Sequence, residues 1–172
     1  MQNILIVVDM QNDFIDGALG TTEAVAIVPG VEQKIRSWPG RVLFTRDTHE
    51  ENYLTTQEGQ NLPVPHCIRG TDGWQICPAL APLVTEEPID KPTFGSTALA
   101  HKLAAEHAAN PIGQITLVGL CTDICVISNA LLLKAALPEV PIAVDSSCCA
   151  GVTPQSHSTA LQAMKMCQIR VE

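Results

Sequence analysis

Short apolar runs alternate along this chain with longer stretches of mixed polarity. Ile4–Val8 is a continuous apolar, β-branched run, the pattern of a strand buried on both faces. Arg41–Thr45, Gln114–Val118 and Pro141–Asp145 read the same way. Leu83–Asp90, interrupted by Pro88, and the terminal Gln168–Val171 are two further strand candidates. Between them the spacing predicts helices over Val28–Trp38, Ser96–Ala109, Asp123–Leu137 and Thr153–Met166. Punctuation supports these bounds. Pro29 stands near the start of the first helix and Pro39-Gly40 after its end. Asn110-Pro111 and Pro138 stop the next two, and Thr153-Pro154 opens the last. Glu50–Pro82 is rich in Pro, Gly and polar residues, and a loop of that length is usually functional or covered by a neighbour.

Strands alternating with helices predict an α/β chain: a three-layer, doubly wound (Rossmann-like) arrangement with a six-stranded parallel sheet. The 172 residues suit a single domain over 1–172. In such sheets, sites form outside the carboxyl ends of the strands. Asp9, Asp47 and the Cys121–Cys125 turn all follow strand ends, so they should converge on one edge.

The turn Val118-Gly-Leu-Cys-Thr-Asp-Ile-Cys-Val126 carries the first chemistry. It leaves a strand at Gly119 and enters a helix that Thr122 or Asp123 can cap. Cys125 then falls in the first turn, where the positive end of the helix should ease loss of the thiol proton. The free N–H groups there could receive the oxygen of an attacked carbonyl. Against this, a cysteine in an Ala/Leu/Val-rich helix is most often a small buried hydrophobe.

Composition narrows the class. Hydrophobic residues make up 46% and charged residues 16%, as in ordinary globular chains. A net charge of -8, no basic stripe and 3% aromatic residues argue against nucleic acid and anionic membrane surfaces. Met1–Asp9 lacks the basic start of a signal peptide, and no run approaches the ~20 apolar residues of a membrane span. The seven cysteines are odd in number and form no CxxC pair, so reduced thiols and a cytoplasmic location are expected.

Five blocks carry a resemblance. They are Val8-Asp-Met-Gln-Asn-Asp-Phe14, Thr45-Arg-Asp-Thr-His49, Pro65-His-Cys-Ile-Arg-Gly-Thr-Asp-Gly73, Lys91-Pro-Thr-Phe-Gly-Ser96 and Val118–Val126. In this order they resemble the isochorismatase-like cysteine hydrolases, and within them the nicotinamidase-like branch. The resemblance implies a catalytic triad of Asp9, Lys91 and Cys125, with oxyanion-hole amides on Cys121 and Cys125 after a cis peptide at Leu120–Cys121. It implies a divalent metal, zinc first, on Asp47, His49 and His66, with Glu58 as a fourth ligand. Two imidazoles and a carboxylate suit such an ion independently. Phe14, Phe94 and Leu120 are expected to line the substrate pocket. The partner implied is a small-molecule amide, in a chain expected to form homo-oligomers.

Under this reading Lys91 stabilises the thiolate, Asp9 takes and returns the proton, and a thioester forms and is hydrolysed. Nicotinamide is the leading substrate; another amide, carbamoyl or ureido compound is the alternative. Nicotinamidases often carry a tryptophan shortly before the metal histidine. Leu62-Pro-Val-Pro65 stands there instead, with Trp74 as a possible substitute wall. A non-catalytic ligand-binding or interaction protein on the same fold is the rival of another class. A nucleotide- or flavin-binding version would need a Gly-rich turn after the first strand, and Asp9–Phe14 has no GxGxxG. His157, early in the last helix, reads as structural.

Overall fold

The computed structural model describes Met1–Glu172. In chain order its elements are β1 (Gln2–Val8), α1 (Asn12–Ile15), α2 (Thr22–Ser37), β2 (Arg41–Asp47), α3 (Gln57–Asn61), β3 (Ile89–Lys91), α4 (Thr97–Ala109) and β4 (Ile112–Leu120). A wide π turn (Thr122–Val126) then leads into α5 (Ile127–Ala136), followed by β5 (Ile142–Ala150), α6 (Pro154–Met166) and β6 (Arg170–Val171). All strand pairs are parallel, in the order β3-β2-β1-β4-β5-β6. The predicted six-stranded α/β arrangement is thus found. The chain reverses direction across the sheet between β1 and β4, where such folds open a crevice.

The buried strands alternate between two cores. Ile4, Ile6 and Val8 of β1 pack with Leu99 and Leu103 of α4, Ala130 and Leu133 of α5, and Met164 of α6. Leu5 and Val7 face the other way, onto Phe14, Ala24, Val31 and Ile35 of α1 and α2 and onto Cys67, Ile76 and Leu80 of the long loop. Period-two alternation with both faces apolar explains why these strands read as unbroken hydrophobic runs. No helix is long and apolar enough to cross a membrane.

Several bounds differ from the sequence reading. α2 begins at Thr22, not Val28, because Thr21 accepts the Ala24 N–H (3.0 Å) and caps it. Pro29 therefore lies inside the helix, giving up one backbone bond rather than marking the start. β3 is limited to Ile89–Lys91. Ala81–Leu83 forms a 3₁₀ turn instead, and Pro88 has no N–H to give a neighbouring strand. β5 continues past Asp145 to Ala150, with a register shift opposite Leu117–Gly119. The Glu50–Pro82 stretch is largely short helical turns. They wrap Tyr53, which is buried and donates its hydroxyl to the Leu62 carbonyl (2.9 Å).

Gly119 is required where β4 meets the turn. Its φ is +115°, and a Cβ there would lie 2.2 Å from the Val8 carbonyl oxygen. Gly70 also has positive φ, at +83°, but nothing lies within 4 Å of a Cβ built on it. Gly70→Ala should cost only the left-handed penalty of about 1–2 kcal/mol. Gly119→Ala should cost at least about 2 kcal/mol more, because backbone must move. Thermal melts should place Gly119→Ala roughly 4–8 °C below Gly70→Ala, and equal melting points would contradict this.

Candidate functional site

At the carboxyl ends of β1, β2, β3 and β4 the chain gathers Asp9, Asp47, Lys91 and Cys125, all buried. Asp9 follows β1 in a left-handed conformation (φ +49°), which swings it off the strand. Thr45 holds it there: its hydroxyl donates to Asp9 Oδ1 (2.6 Å) and accepts the Asp9 N–H (3.3 Å). Lys91 ends β3, paired in register with Asp47 of β2. Its ammonium lies 2.6 Å from Asp9 Oδ2, 3.2 Å from Asp47 Oδ1, 3.0 Å from the Thr93 carbonyl and 3.4 Å from Cys125 Sγ. An ammonium has three N–H groups. Its four partners share them, and the ion pair with Asp9 Oδ2 is the shortest. A carboxylate oxygen has a further lone pair, so Asp9 can still take a proton.

The electrostatics correct one expectation. The Cys125 thiol is not acidified. Burial pushes its pKa well up, the Asp9 charge adds to this, and Lys91 opposes it. Burial also raises the Asp9 carboxyl, against the pull of Lys91. Lys91 itself would be depressed by burial, but the Asp9 and Asp47 carboxylates more than reverse that and hold it charged. The resting arrangement is a buried thiol beside a carboxylate and a fixed cation.

The turn itself also departs from the sequence reading. Neither Thr122 nor Asp123 caps the first turn, and the first position belongs to Cys121 without any side-chain cap. Thr122 instead bonds His157, and Asp123 accepts the Val152 N–H. The Cys121 carbonyl takes N–H groups from both Ile124 (3.1 Å) and Val126 (3.0 Å), which widens the turn. The Leu120–Cys121 peptide is cis, as the resemblance implied.

Beside this group stand Asp47, His49, Glu58 and His66, with one ligand atom from each lying within 4.8 Å of all the others. His49 Nε2 is 3.0 Å from Asp47 Oδ2 and 3.4 Å from Glu58 Oε1; His66 Nε2 is 3.5 and 3.6 Å from the same two oxygens. His66 Nδ1 is 2.8 Å from the Val64 carbonyl, which assigns its proton to Nδ1 and turns the Nε2 lone pair inward. Burial alone would depress His49, but the hydrogen bonds to Asp47 and Glu58 push it up to about 9. Asp47 is held well below the usual carboxylate range, its burial outweighed by His49, His66 and Lys91. Two imidazoles and two carboxylates converging at this spacing fit a divalent cation.

The two groups share a cleft of about 50 Å³ lined by Phe14, Leu19, Leu62, Phe94 and Ile124, with Cys121, Cys125, Asp47, Glu58 and His66 at its polar end. Phe14 and Phe94, expected in the substrate pocket, line this cleft. Leu120 does not: it is buried in the core beneath, because residues 118 and 120 share the face turned toward α2. Trp74 is no wall either. Its ring lies under the Arg46 guanidinium (3.9 Å), and its Nε1–H donates to Thr48 (2.9 Å). Leu62 (39% exposed) and Phe94 (42% exposed) form the outer lip in its place.

Several positioning residues had no role in the sequence reading. Gln11 donates to the Asp47 carbonyl (2.8 Å) and accepts its N–H (2.7 Å), fixing the end of β2. Asp13 accepts the Cys67 N–H (2.7 Å), which anchors the residue after His66. Asn129 donates to the Cys125 carbonyl (2.8 Å) and accepts the Ser96 N–H (2.9 Å), tying the turn to the start of α4. A lone amide four residues past Cys125, on an otherwise apolar helix face, was the available signal for Asn129.

Comparison with known proteins identifies the family. The isochorismatase domain profile matches residues 3–171. An isochorismatase family protein of Bacillus subtilis (strain 168) is 31% identical over 178 residues, spanning 94% of this chain and 93% of the relative. A pyrazinamidase of Pyrococcus horikoshii, solved in complex with zinc, superposes with a TM-score of 0.81 at 26% identity, covering 100% of this chain and 99% of that one. A pyrazinamidase/nicotinamidase from Streptococcus mutans UA159 superposes with a TM-score of 0.83 at 25% identity, covering 99% of each chain. With the match running almost from end to end, the chain belongs to the isochorismatase family of hydrolases.

Proposed function

We propose that this protein is a cysteine amidohydrolase of small neutral amides, with nicotinamide as the leading substrate and nicotinate and ammonia as products. The observation that carries the reading is the buried contact of Asp9, Lys91 and Cys125 at the polar end of an apolar cleft. Cys125 is the nucleophile. As its sulfur attacks the amide carbon, the thiol proton passes to the buried Asp9 carboxylate beside it. Lys91 offsets the charge on sulfur and carboxylate together. The amides of Cys121 and Cys125 receive the carbonyl oxygen. Collapse breaks the C–N bond, Asp9 returns the proton to the departing nitrogen, and a thioester remains on Cys125. Water, deprotonated by Asp9, then cleaves the thioester and restores the thiol.

Asp47, His49, His66 and Glu58 are the residues that would hold a divalent ion, zinc by donor chemistry and by the example of the Pyrococcus horikoshii neighbour. When bound, such an ion supplies a Lewis acid that fixes a basic ring atom of the substrate. The apolar walls Phe14, Leu19 and Phe94 then clasp the ring. One observation favours a second reading within the same chemistry. Trp74 is turned away from the cleft and Leu62 stands at the lip, so a small non-aromatic amide or carbamoyl compound would meet the same catalytic group.

Purified protein should release ammonia from nicotinamide. Cys125→Ser should abolish release with an unchanged circular dichroism spectrum, and Asp9→Asn should lower kcat roughly 10²–10⁴-fold. Full turnover by Cys125→Ser would remove Cys125 from its role. Elemental analysis should find close to one divalent ion per chain, lost in His49→Ala; a chain that takes up none, even on reconstitution, would refute the metal site. Phe94→Ala should raise KM more than it lowers kcat, because the lip contacts bound substrate and reacting substrate alike.

A further inference from the structure

The turn that carries Cys121 and Cys125 has no cap of its own. A turn that must place an amide and a thiol to within a fraction of an ångström needs its rigidity from elsewhere. Both side chains that could have capped it are committed to the chain after β5. The Asp123 carboxylate accepts the Val152 N–H, with both oxygens at 3.2 Å. Thr122 Oγ1 and His157 Nδ1 share a hydrogen bond of 2.7 Å. Thr122 is fully buried, and this half-buried imidazole is the hydroxyl's side-chain partner.

His157 is itself fixed from behind. It sits in the first turns of α6, whose start is locked by a capping box in which Thr153 accepts the Ser156 N–H (3.0 Å) and Ser156 accepts the Thr153 N–H (3.1 Å). Gly151 lies against it so closely that a Cβ there would be 2.9 Å from the His157 N and Cβ atoms. The imidazole therefore stands on a rigid helix start, pressed against the backbone that leaves β5. It reaches the one residue between Cys121 and Asp123.

We propose that His157 is a positioning residue for catalysis: through Thr122 it sets the orientation of the turn that presents the Cys121 amide and the Cys125 thiol. The proposal rests on the amidohydrolase reading for its kinetic consequence, though not for its structural one. His157 touches neither substrate nor thiol, so its contribution is to alignment. Loss of an oxyanion donor costs about 10²–10³ in kcat, and partial misalignment should cost less, on the order of 10-fold.

The test uses four variants of the full chain: His157→Leu, Thr122→Val, the double variant, and His157→Asn. An asparagine amide can reach roughly the place of Nδ1 and bond the Thr122 hydroxyl; leucine cannot. For nicotinamide, kcat should fall about 10-fold in His157→Leu and in Thr122→Val with KM nearly unchanged. It should fall no further in the double variant, since both remove one link. His157→Asn should recover most of the loss. In parallel, the rate at which iodoacetamide labels Cys125, read by peptide mass spectrometry, should change several-fold in the leucine variant and return toward the wild-type rate in the asparagine variant.

Losses that multiply in the double variant would overturn the proposal. So would an unchanged labelling rate in His157→Leu, or losses equal in leucine and asparagine that simply follow the melting temperature. If wild-type protein releases no ammonia from nicotinamide, the nicotinamide reading fails, and the labelling rates still decide the role of His157.

Discussion

Lys91 keeps a full positive charge at a point closed to solvent, and the site depends on it. Taking a lone ammonium out of water costs several kcal/mol even after the protein relaxes. That cost is tolerable here because two carboxylates, a carbonyl and a sulfur surround the nitrogen. The dependence runs both ways. Asp9 and Asp47 are buried anions that would be untenable without the cation between them. Removing Lys91 would leave two buried carboxylates without their shared cation, so the cluster is held as a unit.

The sheet is arranged to deliver that cluster. Asp9 leaves β1 and Cys125 follows β4, the two strands that flank the reversal of direction. β3 is only three residues long, yet its pairing with β2 brings Lys91 level with Asp47. The long segment between β2 and β3 would be hard to explain as mere connection. Folded around Tyr53, whose ring packs on His49 and His66 at 4.7 and 5.0 Å, it sets the second group of ligands beside the first.

How much of this was legible in the sequence follows from the range of the forces involved. β1, β2, β4 and β5 were legible because burial on both faces writes itself as an unbroken apolar run. The convergence of Asp9, Asp47 and the cysteine turn was legible because parallel sheets put all strand ends on one edge. The start of α2 was hidden behind Pro29, whose tolerance inside a helix is decided by packing rather than local propensity. The caps of the cysteine turn were misassigned for a similar reason. Thr122 and Asp123 have the right chemistry for capping, but stronger partners at His157 and Val152 lie some thirty residues ahead, and spacing cannot reveal them. Leu120 was misplaced by one side of a strand, the smallest error a period of two allows. The acidity expected of Cys125 came from the helix end and from Lys91, and full burial with a neighbouring carboxylate outweighs both.

Asp47 is shared between the two groups. One oxygen faces the Lys91 ammonium at 3.2 Å, and the other faces His49 at 3.0 Å and His66 at 3.5 Å. A single carboxylate is thus the common wall of two compartments, the Lys91–Cys125 group and the His49–His66 group. The compartments are therefore linked equilibria rather than separate parts. Positive charge gathered on one side of Asp47 draws electron density from the other, so the histidine side and the Lys91 side respond together. A lineage that replaced the histidine side to accept a different substrate would inherit an altered Lys91 at the same stroke. Change in specificity on this scaffold is constrained to routes that keep the charge around Asp47 in balance.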